Sequence, residues 1–231
     1  MNKKKLVVLT GAGVSAESGI QTFRDAGGLW EGHDVMEVAS PEGWRKNQAL
    51  VQQFYNERRR ALKNVQPNRA HYILAELEEY FDVTVITQNV DHLHEQAGSS
   101  KIIHLHGELL KARSTRFENL VYDWTEDITP NDKCEKGYPL RPHIVWFGEA
   151  VPMITPAAAI AAEAEILVVI GTSLVVYPAA SLAYHADESV PIFLVDPKKP
   201  PMYDRPNVHY IIENATTGTE KLKQILIEKY G

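Results

Sequence analysis

The sequence predicts an α/β fold: a Rossmann-like parallel sheet with a small inserted module, and a ligand site in the cleft between them. Three observations carry this. Short apolar runs such as Leu6–Thr10 and Ile166–Ile170 lack strict alternation, as strands covered on both faces do. The first run leads straight into Gly11-Ala12-Gly13-Val14-Ser15-Ala16, a Gly-x-Gly-x-x-Ala pattern that suits a backbone turn close to a pyrophosphate. The stretch from Lys111 to Pro139 is polar and aperiodic and separates two strand candidates.

The elements follow in order. After the strand Leu6–Thr10, a helix is expected near Ser15, with its unpaired N–H groups and positive dipole end facing the ligand. Ser40-Pro41-Glu42 starts a second helix, with serine at the N-cap, proline at the first helical position and a carboxylate in the first turn. Phe54–Arg60 lies in a helix, and Pro67 opens another whose Ile73, Leu74 and Leu77 form an apolar stripe. Val83–Thr87, Ile102–Leu105 and His143–Phe147 read as core strands. So do Ile166–Ile170, Ile192–Val195 and His209–Ile212. Pro156 to Glu165 is an alanine-rich helix suited to close packing on a sheet.

The 231 residues suffice for one domain over 1–231, with small-module segments at approximately 24–75 and 111–139. The net charge of −6 argues against general nucleic-acid affinity. The single cysteine, Cys134, excludes an intramolecular disulfide and fits a reducing compartment. Met1-Asn2-Lys3-Lys4-Lys5 looks like a signal n-region, but the apolar run after it is short and enters the glycine loop. No stretch approaches the roughly 18 apolar residues of a membrane span. A cytoplasmic protein without nucleic-acid or membrane partners is expected.

Several clusters carry chemistry, each with a plainer alternative. Arg24 in Phe23-Arg24, followed by Gly27-Gly28-Leu29-Trp30, suits a phosphate contact beside a mobile lid, or a surface loop. Gln88, Asn89 and Asp91 follow a strand and suit ribose hydroxyls or an amide, or a turn that caps a helix. His106, beside Gly107, suits a general base or a structural histidine. Gly171-Thr172-Ser173 suits a second phosphate or ribose contact, or an ordinary turn. Tyr55 shares a helix face with Arg58 and Arg59, a grip for a carboxylate or a solvated basic face.

The run Gly11 to Ile20, then Thr22-Phe23-Arg24, Thr87-Gln88-Asn89-Val90-Asp91, Leu105-His106-Gly107, Ile144 to Glu149 and Gly171-Thr172-Ser173 resembles the sirtuin family in both content and order. That resemblance implies an NAD-dependent protein-lysine deacylase acting on acylated lysine side chains. It implies cofactor contacts at Gly11, Ala12, Gly13, Ser15, Glu17, Phe23, Arg24 and Trp30. Further contacts are implied at Gln88, Asn89, Asp91, Gly171, Thr172, Ser173, Asp196 and Ala215. His106 would be the general base, with Asn89 beside it in catalysis. Nicotinamide would leave, and lysine and O-acyl-ADP-ribose would be released. Val145 and Phe147 would flank the lysine stem, and Gly148-Glu149 would pair with the substrate backbone. Tyr55 and Arg58, rather than Arg59, resemble the Tyr-x-x-Arg of class III sirtuins, which remove succinyl and malonyl groups; acetyl would also fit.

The chain departs from the family in two places. Where many sirtuins carry two zinc-binding Cys-x-x-Cys pairs, Ser114-Thr115-Arg116-Phe117 and Cys134-Glu135-Lys136-Gly137 stand here. One thiolate cannot make a closed tetrahedral site, so no metal is expected. Packing by Phe117, Leu120, Val121, Tyr122, Trp124 and Ile128 should hold the module instead. Asp196 stands where asparagine is common, and a carboxylate accepts from ribose hydroxyls without donating. A hydride-transferring dehydrogenase and a non-catalytic NAD or ADP-ribose-binding module are the rival readings. No tyrosine here has a lysine four residues later, as the short-chain dehydrogenase type needs.

Overall fold

The computed structural model describes residues 3–21, 29–30, 32–200 and 206–231. β1 (Lys5–Thr10) is buried after its first residue. β2 (Leu29–Trp30) and β3 (His33–Asp34) pair antiparallel and lead into α1 (Val35–Val38), α2 (Pro41–Lys46) and α3 (Gln48–Leu62). Ser40 caps α2 as expected, its hydroxyl accepting from the Gly43 amide. α4 (Arg69–Glu76) is followed by β4 (Asp82–Thr87), α5 (Leu93–Ala97) and β5 (Ile102–His104). A separate antiparallel sheet holds β6 (Gly107–Ser114), β7 (Val121–Asp123) and β8 (Leu140–Ile144) in the order β7-β6-β8. The chain then returns through α6 (Ile154–Ala162), β9 (Ile166–Ile170), β10 (Ile192–Val195), β11 (Val208–Ile211) and α7 (Ala215–Tyr230).

The six parallel strands lie in the order β11-β10-β9-β1-β4-β5. The chain steps outward one way from β1 and the other way from β9. Their carboxyl ends therefore bound a crevice at the topological switch point, where open α/β sheets bind ligands. Both faces of the sheet are covered. Leu6, Val8, Val85 and Val168 pack with Ile73, Leu74 and Leu222 on one side. Val7, Leu9, Val169 and Leu194 pack with Ala157 and Ala183 on the other. This double covering explains the unbroken apolar runs, and each fully buried large aliphatic side chain contributes about 1.5–3 kcal/mol. A third core joins α1 and α3 to the small sheet through Val38, Val51, Phe54, Leu109, Ile144 and Trp146.

Several expectations are corrected. Near Ser15 there are two 3-10 turns, Ala12–Val14 and Ala16–Ser18, instead of an α-helix. The amides of Gly11 and Gly13 donate to the carbonyls of Ile170 and Gly171, so contact with the neighbouring loop dictates the curvature. His143–Phe147 is not a core strand: His143 and Ile144 end β8, and the amides of Val145 and Phe147 donate to the carbonyls of His106 and Ala39. Pro67 lies outside α4, because Asn68 and His71 form a capping box and the first helical residue is Arg69. α6 begins at Ile154, with Pro156 in its first turn, where a missing N–H loses no helical bond.

The small antiparallel sheet includes Gly107–Ser114, so its first strand starts before Lys111. Ala112, Ile128, Cys134 and Leu140 form its core, with Leu120, Tyr122 and Trp124 against them. Phe117 instead packs edge-on against Tyr138, with Lys136 over its ring. Val121 is only half-buried and pairs with Arg113 across the sheet. No helix among the described residues is long and apolar enough to cross a membrane.

Candidate active site

A cleft of about 630 Å³ opens at the switch point. Its walls collect Gly11, Ala12, Gly13, Ser15, Glu17, Trp30, Tyr55, Arg58, Gln88, Asn89, Asp91 and His106. Val145, Phe147, Gly148, Glu149, Gly171, Thr172, Ser173, Asp196 and Ala215 complete the set. The candidate site residues, scattered through the chain, thus face one cavity. Phe23 and Arg24, and the proposed lid glycines Gly27 and Gly28, lie outside the described residues.

The glycine loop forms the floor. A Cβ on Gly13 would come within 2.6 Å of the Gly171 Cα, and one on Gly11 within 2.7 Å of the Thr172 Cβ. Absence of side chains there lets the two loops lie directly on each other. Glu17 accepts from the amide and hydroxyl of Thr216 at 2.9 and 2.7 Å. Its charge sits at the positive end of α7, beside Ala215, and caps that helix. Asp196 is buried at the end of β10 and accepts from the Lys198 amide at 2.9 Å.

The next wall is a saturated hydrogen-bond network. The Ser15 hydroxyl donates to Asp91 Oδ2 at 3.0 Å and accepts from Asn89 Nδ2 at 3.1 Å. The Asn89 amide donates to Thr87 Oγ1 at 3.0 Å, and the Leu93 amide to Asp91 Oδ1 at 3.1 Å. Gln88 Nε2 donates to Thr172 Oγ1 at 3.1 Å, tying the two strand ends together. Burial raises the Asp91 pKa above the ordinary carboxylate value. Behind this wall His71 Nε2 lies 3.4 Å from the Ser15 hydroxyl. His71 Nδ1 accepts from the Asn68 amide, so the proton of the neutral ring sits on Nε2. Burial lowers its pKa to about 4.

His106 Nδ1 lies 3.0 Å from the Gln88 carbonyl. A carbonyl only accepts, so Nδ1 carries the hydrogen and Nε2 keeps a lone pair. Burial lowers the His106 pKa, against the opposing pull of the Gln88 carbonyl, and favours the neutral ring. This is the protonation state that a general base requires.

On the part of the cleft lining contributed by α3, Tyr55 is fully buried and its hydroxyl accepts from Trp146 Nε1 at 3.0 Å. Burial pushes its pKa above the ordinary value, so the phenol keeps a proton to donate. The Arg58 guanidinium lies 4.2 Å from the Trp30 ring centre and 5.6 Å from that of Phe54. Arg59 points elsewhere: it donates to the Leu109 carbonyl at 3.0 Å and to Asn56 Oδ1 at 2.8 Å. Burial lowers its pKa to about 10. The two adjacent arginines therefore have separate settings, one at the cleft and one in the body of the module.

Trp146, to which no role was assigned from sequence, has Arg141 stacked 3.3 Å from its ring centre. A buried indole needs a partner for its N–H, which is the signal that singles it out. Glu149 bridges Arg141 at 2.7 Å and Arg113 at 3.2 Å, and accepts from the Trp146 amide at 2.9 Å. Burial works to raise the Glu149 pKa, but the Arg141 contact overrides it and holds the group ionised. The Glu149 amide donates to the Trp146 carbonyl. Its carboxylate and amide thus serve the turn.

Ser114 and Cys134 stand at two of the four positions where zinc-binding cysteines would lie. Ser114 Oγ accepts from the amides of Arg116 and Phe117 at 3.2 and 3.3 Å. Among the described residues no group of three or more histidine, cysteine or acidic side chains could hold an ion.

The Sir2 family model matches residues 11–178. An NAD-dependent protein deacylase of Helicobacter pylori (strain J99 / ATCC 700824) is 56% identical over 225 residues, covering 97% of this chain and 96% of that protein. One from Bacteroides thetaiotaomicron is 52% identical, covering 97% and 98%. Among solved structures, a Sir2 homologue in complex with NAD superposes with a TM-score of 0.88 at 39% identity, covering 99% of this chain and 91% of that one. A Sir2 protein with a deacetylated peptide and 3′-O-acetyl ADP-ribose superposes with a TM-score of 0.80 at 28% identity, covering 98% and 94%.

Proposed function

The chain belongs to the Sir2 family, and on that premise we propose that it is an NAD-dependent protein-lysine deacylase with a preference for succinyl and malonyl groups. The observation that carries the preference is that a protonated Tyr55 and the Arg58 guanidinium, three residues apart on α3, both line the cleft. A phenol donor and a guanidinium fork suit a terminal carboxylate, and the shorter acetyl group enters the same space.

NAD, when bound, supplies an electrophilic ribose carbon and nicotinamide as leaving group, and is consumed. The chain's own residues orient and move protons. Asp196 and Ala215 stand at one end of the cleft and accept the adenosine half. The Gly11–Gly13 and Gly171–Ser173 loops line the pyrophosphate path. Gln88, Asn89 and Asp91 hold the second ribose and the nicotinamide; Ser15 fixes Asn89 and Asp91, and Thr172 fixes Gln88. His106, neutral with its lone pair on Nε2, takes the proton of a ribose hydroxyl. Val145 and Phe147 flank the lysine stem, and the turn at Gly148 supports the peptide backbone as an added strand.

The small module folds without zinc in this reading. The support is the Ser114 hydroxyl, which supplies the acceptor that the turn amides need, and the apolar contacts of Phe117 and Cys134.

The test is nicotinamide release with an acyl-lysine peptide, followed by chromatography, alongside absorbance of a reduced nicotinamide. Release that depends on the peptide, without reduced cofactor, supports deacylation. No release despite NAD binding would mean a binding module. His106→Ala is expected to abolish turnover and spare NAD binding.

A further inference from the structure

Two histidines, His104 at the end of β5 and His106 two residues on, fasten two consecutive carbonyls of the loop after β4. His106 Nδ1 lies 3.0 Å from the Gln88 carbonyl, and His104 Nδ1 lies 3.2 Å from the Asn89 carbonyl. The two rings differ at their second nitrogen. His104 Nε2 lies 2.6 Å from Glu95 Oε1 on α5. Both partners of His104 are oxygens that only accept, so an imidazolium with a hydrogen on each nitrogen satisfies both. The pair is sheltered on the histidine side, where the side chain is 9% exposed, and is more open at Glu95, at 40%.

We infer that His104 is a positioning residue: held as an imidazolium by Glu95, it clamps the Asn89 carbonyl and so fixes the loop that carries Asn89 and Asp91. This rests on the reading of Asn89 and His106 given above.

The charged surroundings agree. Burial opposes the charge on His104, but the bond to Glu95, then the charges of Glu95 and Glu108, outweigh it and raise the pKa. Asp91 lies on the clamped loop itself and also interacts with His104. His94 on α5 is held neutral by burial, so it adds no competing positive charge. Burial works to raise the Glu95 pKa, and the His104 contact reverses that.

Loss of the His104 proton then has a directional consequence. The carboxylate, the stronger acceptor, keeps the remaining hydrogen on Nε2. Nδ1 would face the Asn89 carbonyl with a lone pair, and the clamp would become a repulsion. A glutamine at position 95 can donate to Nε2 instead, which leaves the hydrogen on Nδ1 and preserves the clamp without charge.

The experiment measures kcat/KM for NAD against pH, with one acyl peptide, for wild type, His104→Phe, Glu95→Gln and His106→Ala. His104→Phe should lower the neutral-pH value by roughly tenfold to a hundredfold, the range that a misplacement of up to about 1 Å produces. Its melting temperature should stay near wild type. Glu95→Gln should keep the acid fall that belongs to His106 and lose the alkaline fall, relative to its own neutral rate. An alkaline limb of Glu95→Gln that superimposes on wild type would overturn the inference, as would wild-type kcat/KM in His104→Phe. Should His104→Phe fail to fold, the Glu95→Gln profile decides by itself. Turnover by His106→Ala would instead overturn the underlying site reading.

Discussion

Replacing Arg58 by methionine keeps an unbranched stem against Trp30 and Phe54 and deletes the guanidinium. In the structure that group lies 4.2 Å from the Trp30 ring centre, at the wall of the cleft that also holds the Tyr55 hydroxyl. A hydrogen bond to a charged group contributes about 1.5–3 kcal/mol, and a guanidinium can make two to one carboxylate. The cleft is partly open to water, which screens the pair, so a loss of roughly 3–4 kcal/mol is expected for a succinyl substrate. This corresponds to a fall of about 10²–10³ in kcat/KM. An acetyl peptide has no carboxylate to leave unpaired, so its kcat/KM should change by no more than about threefold. Initial rates of nicotinamide release from peptides of one sequence, carrying succinyl, malonyl or acetyl, measure the ratio directly. Unchanged desuccinylation would refute the carboxylate grip. An equal loss on acetyl and succinyl peptides would refute it too, by showing damage to the site as a whole.

Trp146→Phe should leave the Tyr55 hydroxyl without its donor; we expect about a tenfold loss of desuccinylation and a melting temperature roughly 3–8 °C lower, read by calorimetry. Buried His71 titrates near 4 in the folded chain, below the unfolded value of about 6.5. Its contribution is therefore full above about pH 6.5 and lost as pH falls towards 4, with about 2 kcal/mol gone by pH 5. Urea unfolding at the two pH values, compared with His71→Gln, should show a shallower pH dependence in the variant, and parallel curves would count against it. Metal analysis of purified protein should find no stoichiometric zinc, and a chelator should leave the melting curve unmoved; a stoichiometric ion would refute the metal-free module.

Much of the fold was legible because its signals are local. Runs such as Ile166–Ile170 sit between two covered faces, so every residue is apolar. Ser40-Pro41-Glu42 announced a helix start because capping involves neighbours in sequence. The expected helix at Ser15 failed for the opposite reason. The glycine pattern matches a dinucleotide loop, yet the Gly11 and Gly13 amides just before the expected helix are bonded to Ile170 and Gly171, far along the chain, and the backbone winds into two 3-10 turns. His143–Phe147 differs from the expected core strand because an apolar run does not say which sheet it joins. Its amides are engaged by the backbone of His106 and Ala39, which only the assembled fold brings near.

From sequence came the order of the motifs, the parallel strands, and the single cysteine left at the four positions where zinc-binding cysteines would stand. The resemblance picked Arg58 over Arg59, and the tertiary structure supplies the physical difference between them, since Arg58 lines the cleft and Arg59 does not. Arg58 and Arg59 are adjacent on one helix, and only the Leu109 carbonyl and Asn56, packed against the second, turn it away. Tertiary structure decided the proton on His106, because a tautomer is dictated by its partner, and that partner is the Gln88 carbonyl across the neighbouring strand end. Helical and strand periodicity depends on near neighbours. A protonation state, a buried hydroxyl's direction or a stacked guanidinium depends on atoms that folding alone brings within about 3 Å.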